Sequence, residues 1–331
     1  MTIKVLNLTH CKAHGFEAIL LKNSELAITV IPQLGAKVTS IVSLKHNREW
    51  LAHDKQITLK ITKSNDFSEH DSGGWDECFP GISSQLYEHI PNKTYFSHDH
   101  GELWCQAWKI TNTHISDEEI ILSLQAEVFD STFTFIRTFT LKKHSKRLLV
   151  DYYVKNNTTH NLPFVWSAHP IFAIKPEMRI LINNKHMEFK VDEGLSRFYN
   201  VNSAFINWSE CSTKVPPLNK VMPYNSSFAS KIFSKHLNTG THKDQSIIVK
   251  LVDDKAQQSC GFEFSSTNIS HLGLWFNYNG WSANEQLPPF VLGIEPCIGS
   301  NDSLHKAMAS EEEGLIKGNA HKSWHMSFFV N

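Results

Sequence analysis

Hydrophobic and polar residues alternate along much of the chain, and helical periodicity is scarce. Residues 26–44 read LAITVIPQLGAKVTSIVSL, which predicts two strands joined by a turn. Alternation over 120–128 and 132–141 predicts two more strands, and a β-branched and aromatic run predicts another over 147–156. Later candidate strands are residues 246–252, 260–264, 272–278, 290–294 and 324–330. Short strands separated by turn residues are typical of a sandwich or barrel.

Three stretches depart from simple alternation. Residues 162–174 (LPFVWSAHPIFAI) are almost continuously apolar, which predicts one strand buried on both faces. Residues 194–245 are polar and irregular, and they predict a long excursion over the surface. The triplet Glu311–Glu313 predicts a solvated helix start or a turn. No interior linker divides the chain, so we expect one all-β domain over residues 1–331, built as a large antiparallel β-sandwich.

Composition narrows the possible functions. The 331 residues carry 32 Lys and Arg against 33 Asp and Glu, a formal charge of −1. This balance provides no field for nucleic acid or an anionic membrane, so we expect neither as a partner. No apolar run reaches the length of a membrane span and no signal peptide is visible at the start, so we expect a cytoplasmic protein. The six cysteines form no CxxC pair, which favours reduced, mostly buried thiols.

Two ionisable side chains stand at the ends of strands that otherwise read as core. His169 follows FVWSA, Glu295 follows FVLGI, and each is followed by a proline. An unpaired buried carboxylate is costly, so Glu295 needs a partner or a site. Glu and His that face one cavity can serve as general base and general acid near neutral pH. The alternatives are a hydrogen-bonded core histidine and a buried salt bridge, although the chain has only five arginines.

Residues 97–104 (SHDHGELW) contain a third candidate group. On a strand, His98, His100 and Glu102 would lie on one face, and this spacing suggests a metal site. Gly101 interrupts the strand expectation, so the favoured interpretation is a hydrogen-bonding histidine beside a close approach of substrate. We therefore expect His98 to bind substrate and His100 to take part in catalysis.

Residues 73–80 (GGWDECFP) contain a fourth candidate group. A Gly-Gly turn that presents Trp75, Asp76 and Glu77 would suit a sugar subsite. An aromatic face can pack on the pyranose ring, and carboxylates can accept from its hydroxyls. The alternative is an ordinary turn with Trp75 in the core. Trp275 and Asn277, in LGLWFNYNGW, are further candidates for the wall of the cleft.

Taken together, these segments resemble the aldose 1-epimerase (galactose mutarotase-like) family. The resemblance spans most of the chain and is most specific at NLPFVWSAHPIF and GIEPC. It implies a β-supersandwich, with Glu295 removing the proton of the anomeric hydroxyl and His169 protonating the ring oxygen. His100 corresponds to the family's second histidine, which hydrogen-bonds near that oxygen. The resemblance implies a sugar as substrate, no cofactor and no metal, and we expect a monomer or weak homodimer.

The chain also departs from the galactose mutarotases. Those enzymes carry an Arg before the first histidine, whereas no Arg lies here between Arg48 and Arg137. They also carry a sugar-binding Asp between the acid and the base, whereas residues 193–243 contain none. We therefore expect a substrate other than galactose, with Asp76 or Glu77 as a substitute hydroxyl acceptor. A non-catalytic carbohydrate-binding protein on the same scaffold is the main alternative, and a metal enzyme is the other.

Overall fold

Two large antiparallel β-sheets make up most of the structure. The structure is a computed structural model that describes residues 5–53, 59–60, 66–190, 195, 205–213, 217–238, 245–282 and 288–331. Within these residues, the first sheet has ten strands and the second has eight. The predicted all-β class and the large antiparallel β-sandwich are thus confirmed, while the single domain over 1–331 stays a prediction.

The first sheet carries the residues of the candidate site. Its strands, in spatial order, are β1 (Asn7–Ala13), β2 (Phe16–Lys22), β3 (Leu26–Ile31), β4 (Lys37–Ser43), β6 (Gly74–Cys78), β14 (Trp166–Ala173), β22 (Phe290–Ile298), β21 (His271–Tyr278) and β18 (Phe228–Phe233), with β5 (Arg48–Glu49) paired to β4. The strands β6, β14 and β22 at the centre of the sheet are buried along nearly their whole length, so both faces of the sheet are covered there.

The second sheet packs against one face of the first. Its strands, in spatial order, are β15 (Arg179–Ile182), β19 (Ser246–Asp253), β20 (Gln258–Ser265), β24 (His321–Val330), β12 (Arg147–Asn156), β11 (Phe133–Lys142), β10 (Glu119–Val128) and β9 (Lys109–Ile115). Alternate residues of β11 are buried, and Arg137 takes the phase of Phe135 and Phe139. One face of this sheet therefore forms the core, as the alternation predicts.

Short elements cover the ends of the sandwich. Three hairpins or strand pairs are β7 (Gln85–Ile90) with β8 (Lys93–Ser97), β13 (Leu162–Phe164) with β23 (Gly314–Ile316), and β16 (Glu188–Lys190) with β17 (Phe205–Asn207). One short helix, α1 (Leu304–Ala309), and 3₁₀ turns at Leu44–His46, Phe67–Glu69 and Trp208–Ser212 complete the described elements. No helix in the described part of the chain is long and apolar enough to cross a membrane.

Three predictions of local structure were wrong in part. Residues 162–174 form two strands in different sheets, because the chain leaves the ladder at Val165, whose N–H bonds to the Pro80 carbonyl. Residues 73–80 do not form the predicted Gly-Gly turn, because Gly74–Cys78 is the central strand β6 of the first sheet. The stretch 194–245 contains an ordered strand, β18, at the edge of the first sheet. The six cysteines are free thiols and four are buried, as predicted, and Glu311 lies in a turn.

Candidate active site

Strand pairing places His169 and Glu295 side by side on the face of the first sheet that lies away from the second. The pairs Ser167–Cys297 and Ile171–Gly293 on either side of them align β14 with β22. His169 and Glu295 occupy the midpoint of that register, and side chains two residues apart share a face. The proline after each residue supplies no N–H to the ladder, so the described pairing of β14 with β22 is interrupted between Ser167 and Ile171.

The two side chains face each other in the interior. His169 Nδ1 lies 3.4 Å from Glu295 Oε1, and the side chains are 6% and 0% exposed. Neither atom has a hydrogen-bond partner of good geometry among the described residues. Because buried polar atoms are normally satisfied, two facing atoms with unused capacity are an arrangement to which a ligand could bind.

The other oxygen of Glu295 is held by a lysine. Lys231 Nζ lies 2.9 Å from Glu295 Oε2, and Ser167 Oγ donates to the same oxygen at 3.4 Å. Burial raises the pKa of the Glu295 carboxyl, but attraction to Lys231 and His169 outweighs it and the net pKa is lowered. Glu295 is therefore a carboxylate at neutral pH.

His169 is shifted toward its charged form. Burial lowers the pKa of the imidazole, but the Glu295 carboxylate outweighs this effect and the net pKa is raised. The ring packs edge-on against His100, with centroids 4.9 Å apart, and against Phe67 at 5.6 Å. A protonated His169 can therefore lie beside an ionised Glu295 near neutral pH. A general acid and a general base need these two protonation states.

His100 reaches the site from a turn. Its backbone has a φ of +62°, and the next residue, Gly101, has a φ of +76°. A Cβ at Gly101 would lie 2.2 Å from the carbonyl oxygen of Phe79, so this close approach needs glycine. His100 Nδ1 lies 3.1 Å from Asp99 Oδ2, without hydrogen-bond geometry.

A small cavity of about 20 Å³, with room for roughly one water molecule, lies beside Asp76 and Phe67. Its lining includes Lys37, Asp76, His70, Trp104 and Phe67. The Phe67 ring also stacks on His100, with centroids 3.9 Å apart, and is only 3% exposed. Phe67 therefore lies against both the cavity and the two histidines.

The cavity contains one buried ion pair. Lys37 and Asp76 contact each other directly, and their side chains are each 5% exposed. Asp76 lies directly opposite His169 in the register of β6 and β14, so it shares the face of the acid–base pair. The position of Asp76 is therefore compatible with its predicted role as a hydroxyl acceptor.

Trp75 and Glu77 lie on the opposite side of β6, which contradicts their predicted role in a sugar subsite. Both are fully buried, and Trp75 packs edge-on against Phe262 of the second sheet. Glu77 Oε1 accepts from Arg137 at 2.7 Å and from Tyr152 at 2.9 Å. Strand alternation is the reason, because Asp76 faces the cleft and its two neighbours must face the core.

His98, His100 and Glu102 do not form the metal site that their spacing suggests. His98 Nδ1 lies 2.7 Å from Glu102 Oε1, within a turn, whereas the His100 ring packs with Phe67. His98 therefore pairs with Glu102 in the turn, which argues against its predicted role in binding substrate. Potential metal-ligand groups in the described residues are instead Cys78 with His100 and His169, and His98 with Glu102 and Cys105.

Trp275 and Asn277 have different roles. Trp275 packs edge-on against Trp281, with centroids 5.9 Å apart, and Trp281 is 49% exposed. Asn277 is buried, donates to the Trp281 carbonyl at 2.9 Å and accepts from two backbone N–H groups of the same turn. Asn277 therefore fixes the turn that carries Trp281, which corrects its predicted role in binding sugar.

Sequence reasoning missed Lys231, Lys37, Phe67 and the pairing of Arg137. For Lys37, Arg137 and Lys231 the available signal was a charged residue within an alternating apolar run. Lys37 follows LGA, and Arg137 lies in phase with buried phenylalanines. Lys231 lies in FASKIF, a short alternating segment inside a polar stretch. Phe67 had no such signal.

A known protein family matches the part of the chain that contains two of the candidate catalytic residues. The aldose 1-epimerase family model matches residues 82–254, just over half of the chain. This chain belongs to the aldose 1-epimerase family. The match includes His100 and His169, whereas Glu295 lies beyond it. No curated protein sequence matches the chain.

Solved structures share the fold at low identity. A galactose mutarotase-like protein from Clostridium acetobutylicum has a TM-score of 0.68 at 15% identity, with 99% of each chain covered. A galactose mutarotase related enzyme from Lactobacillus acidophilus has a TM-score of 0.62 at 15% identity, covering 95% of this chain and 97% of its own. A galactose mutarotase-like protein from Lactobacillus casei has a TM-score of 0.62 at 14% identity, and the match covers 95% of this chain and 100% of that protein's chain.

Proposed function

We propose that this protein is an aldose 1-epimerase that interconverts the α and β anomers of a free aldose by general acid–base catalysis. The observation that carries the proposal is the contact between His169 and Glu295, whose facing atoms lie 3.4 Å apart. A cyclic aldose bears its hydroxyl and its ring oxygen on the same carbon. A base and an acid that serve both oxygens must therefore be adjacent, as these two residues are.

Each residue has a role in ring opening. Glu295, as a carboxylate, takes the proton of the anomeric hydroxyl, while His169, as an imidazolium, gives a proton to the ring oxygen. The ring bond breaks, the aldehyde group rotates, and reversal of both transfers closes the ring on the other face. His100 hydrogen-bonds near the ring oxygen. Each group needs to supply only about 10²–10⁴-fold, because the reaction also proceeds slowly in water.

The surroundings favour an uncharged sugar. Lys37 and Lys231 are paired with Asp76 and with Glu295, so neither offers a free positive charge beside the acid–base pair. Lys60, which also lines the cavity, is exposed. Phosphate recognition favours arginine clusters. Asp76 is positioned to accept from a sugar hydroxyl beside His169, and the exposed Trp281 with Trp275 offers aromatic surface. The cytoplasmic location and the monomeric or weakly dimeric state stay predictions.

Polarimetry tests the proposal. The wild-type protein should speed the decay of optical rotation of freshly dissolved pure anomers for at least one sugar of a broad aldose panel. Glu295→Gln and His169→Ala should each remove most of the acceleration, about 10²-fold or more. Glu188→Gln and His325→Ala are matched controls, because Glu188 pairs with Lys235 at 2.7 Å and His325 is exposed on the second sheet.

A non-catalytic carbohydrate-binding protein is the second candidate, and the Phe67 ring against both histidines favours it. Calorimetry on the same panel separates the two functions. Sugar binding without any effect on the rate of mutarotation would support the second candidate and contradict the first.

A further inference from the structure

Lys231 is a largely buried cation that has no role in the acid–base mechanism described above. It lies on the edge strand β18, and its side chain is 14% exposed. Its Nζ lies 2.9 Å from Glu295 Oε2 and 2.9 Å from Asp302 Oδ1. Desolvation of an ammonium group is costly, so a lysine at such a position needs compensation from its carboxylate partners. Two carboxylates at equal distance provide that compensation.

The two oxygens of Glu295 have different surroundings. Oε2 faces Lys231 and Ser167, whereas Oε1 faces His169 and has no hydrogen-bond partner among the described residues. Gly293 provides the space for Oε1, since a Cβ at this position would lie 2.8 Å from that oxygen. The carboxylate is thus anchored through one oxygen and presents the other.

We propose that Lys231 is a positioning residue for the reaction, which keeps Glu295 ionised and directs its Oε1 toward the anomeric hydroxyl. This inference rests on the proposed function. Lys231 does not transfer a proton itself. Asp302 is the second carboxylate that lies 2.9 Å from its ammonium group.

The electrostatics of the site agree with the geometry. The titratable groups around Glu295 come from several elements: Lys231 on β18, His169 on β14, Cys78 on β6 and Cys297 on β22 itself. Asp302, before α1, lies beside Lys231. Lys231 lowers the pKa of Glu295 and also lowers that of His169. Without it, burial would favour the protonated carboxyl, because the remaining opposing charge is the titrating His169.

The pH dependence of kcat/KM tests the inference. Lys231→Met should shift the acid limb of the profile to higher pH by about one unit or more, since Glu295 then protonates more readily. At pH 6, kcat should fall about tenfold or more with KM changed less than about threefold, which is the signature of a lost transition-state interaction. Lys231→Arg should restore most of kcat, and Lys235→Met is the control, because Lys235 pairs with the remote Glu188.

An NMR titration of His169 separates this inference from the proposed function. Lys231→Met should raise the pKa of His169, and Asp302→Asn should lower it, because the asparagine no longer offsets the charge of Lys231. These shifts do not depend on enzymatic activity, and Asp302→Asn retains Lys231 if the methionine variant fails to fold. An unchanged pKa of His169 in the soluble variants would overturn the inference. Absence of mutarotation in the wild type would overturn the proposed function instead.

Discussion

Glu77 and Arg137 form an ion pair at 2.7 Å between the two sheets, and both side chains have no exposed surface. Glu77 also accepts from Trp166 Nε1 at 2.8 Å and from the Tyr152 hydroxyl at 2.9 Å. The residue before it in β6, Asp76, faces the cleft. The same strand, β6, therefore supplies one carboxylate, Glu77, to the core and a second carboxylate, Asp76, to the candidate active site.

Removal of this pair should be costly to stability. Glu77→Gln leaves the Arg137 charge buried without a counter-ion, so the free energy of unfolding should fall by about 3–5 kcal/mol. Urea denaturation measures this change. Glu263→Gln is the matched control, because Glu263 pairs with Arg147 at 2.6 Å on the surface, where such pairs contribute about 0–1 kcal/mol. A stable Glu77→Gln protein with a raised KM would instead indicate a role in sugar binding.

The pKa of His169 should depend on Glu295. In the wild type, the Glu295 carboxylate outweighs burial and the pKa of His169 is raised. In Glu295→Gln, burial and the repulsion from Lys231 remain, so the pKa of His169 should fall below about 6.5, the usual value. NMR titration of the imidazole resonances measures both values. Equal pKa values in the two proteins would show that the contact does not exist in solution.

The contribution of the His169–Glu295 pair to stability should depend on pH. The pKa of Glu295 is lowered by folding, so its contribution is present above about pH 4.3, the unfolded value, and is lost as pH falls through the folded pKa. The pKa of His169 is raised, so its contribution is present below about pH 6.5 and is lost as pH rises through the folded pKa. Glu295→Gln should therefore destabilise the protein more at pH 6 than at pH 9, as measured by urea denaturation. A loss independent of pH would argue against the coupling.

Phe67 should limit access to the acid–base pair. Its ring contacts both histidines, and His169 and Glu295 have almost no exposed surface. Phe67→Ala removes the ring that packs against both histidines, so we expect kcat/KM for mutarotation to rise. Removal of a buried phenylalanine should also cost about 3–5 kcal/mol of stability. Polarimetry with calorimetric melting measures the two effects. A fall in kcat/KM in the folded variant would mean that the ring helps to bind the sugar.

Much of the fold was determined by the sequence alone. Alternation and β-rich runs predicted strands in both sheets, although β1, β2, β6, β9, β15 and β18 were not among them. The positions of His169 and Glu295 at the ends of apolar runs pointed to the pair that the register places side by side. The proline after each residue marked the same positions. Such patterns are local, and strand alternation translates them directly into faces of a sheet.

Only the tertiary structure decided which neighbours these residues have. Trp75, Asp76 and Glu77 are consecutive, and the sequence does not say which face of β6 packs on the second sheet. Lys231 approaches Glu295 from the far side of β21, because the sheet order joins distant segments. The contacts that set the charge of Glu295 come from strands remote in sequence, and electrostatic energy depends on distance in space rather than along the chain.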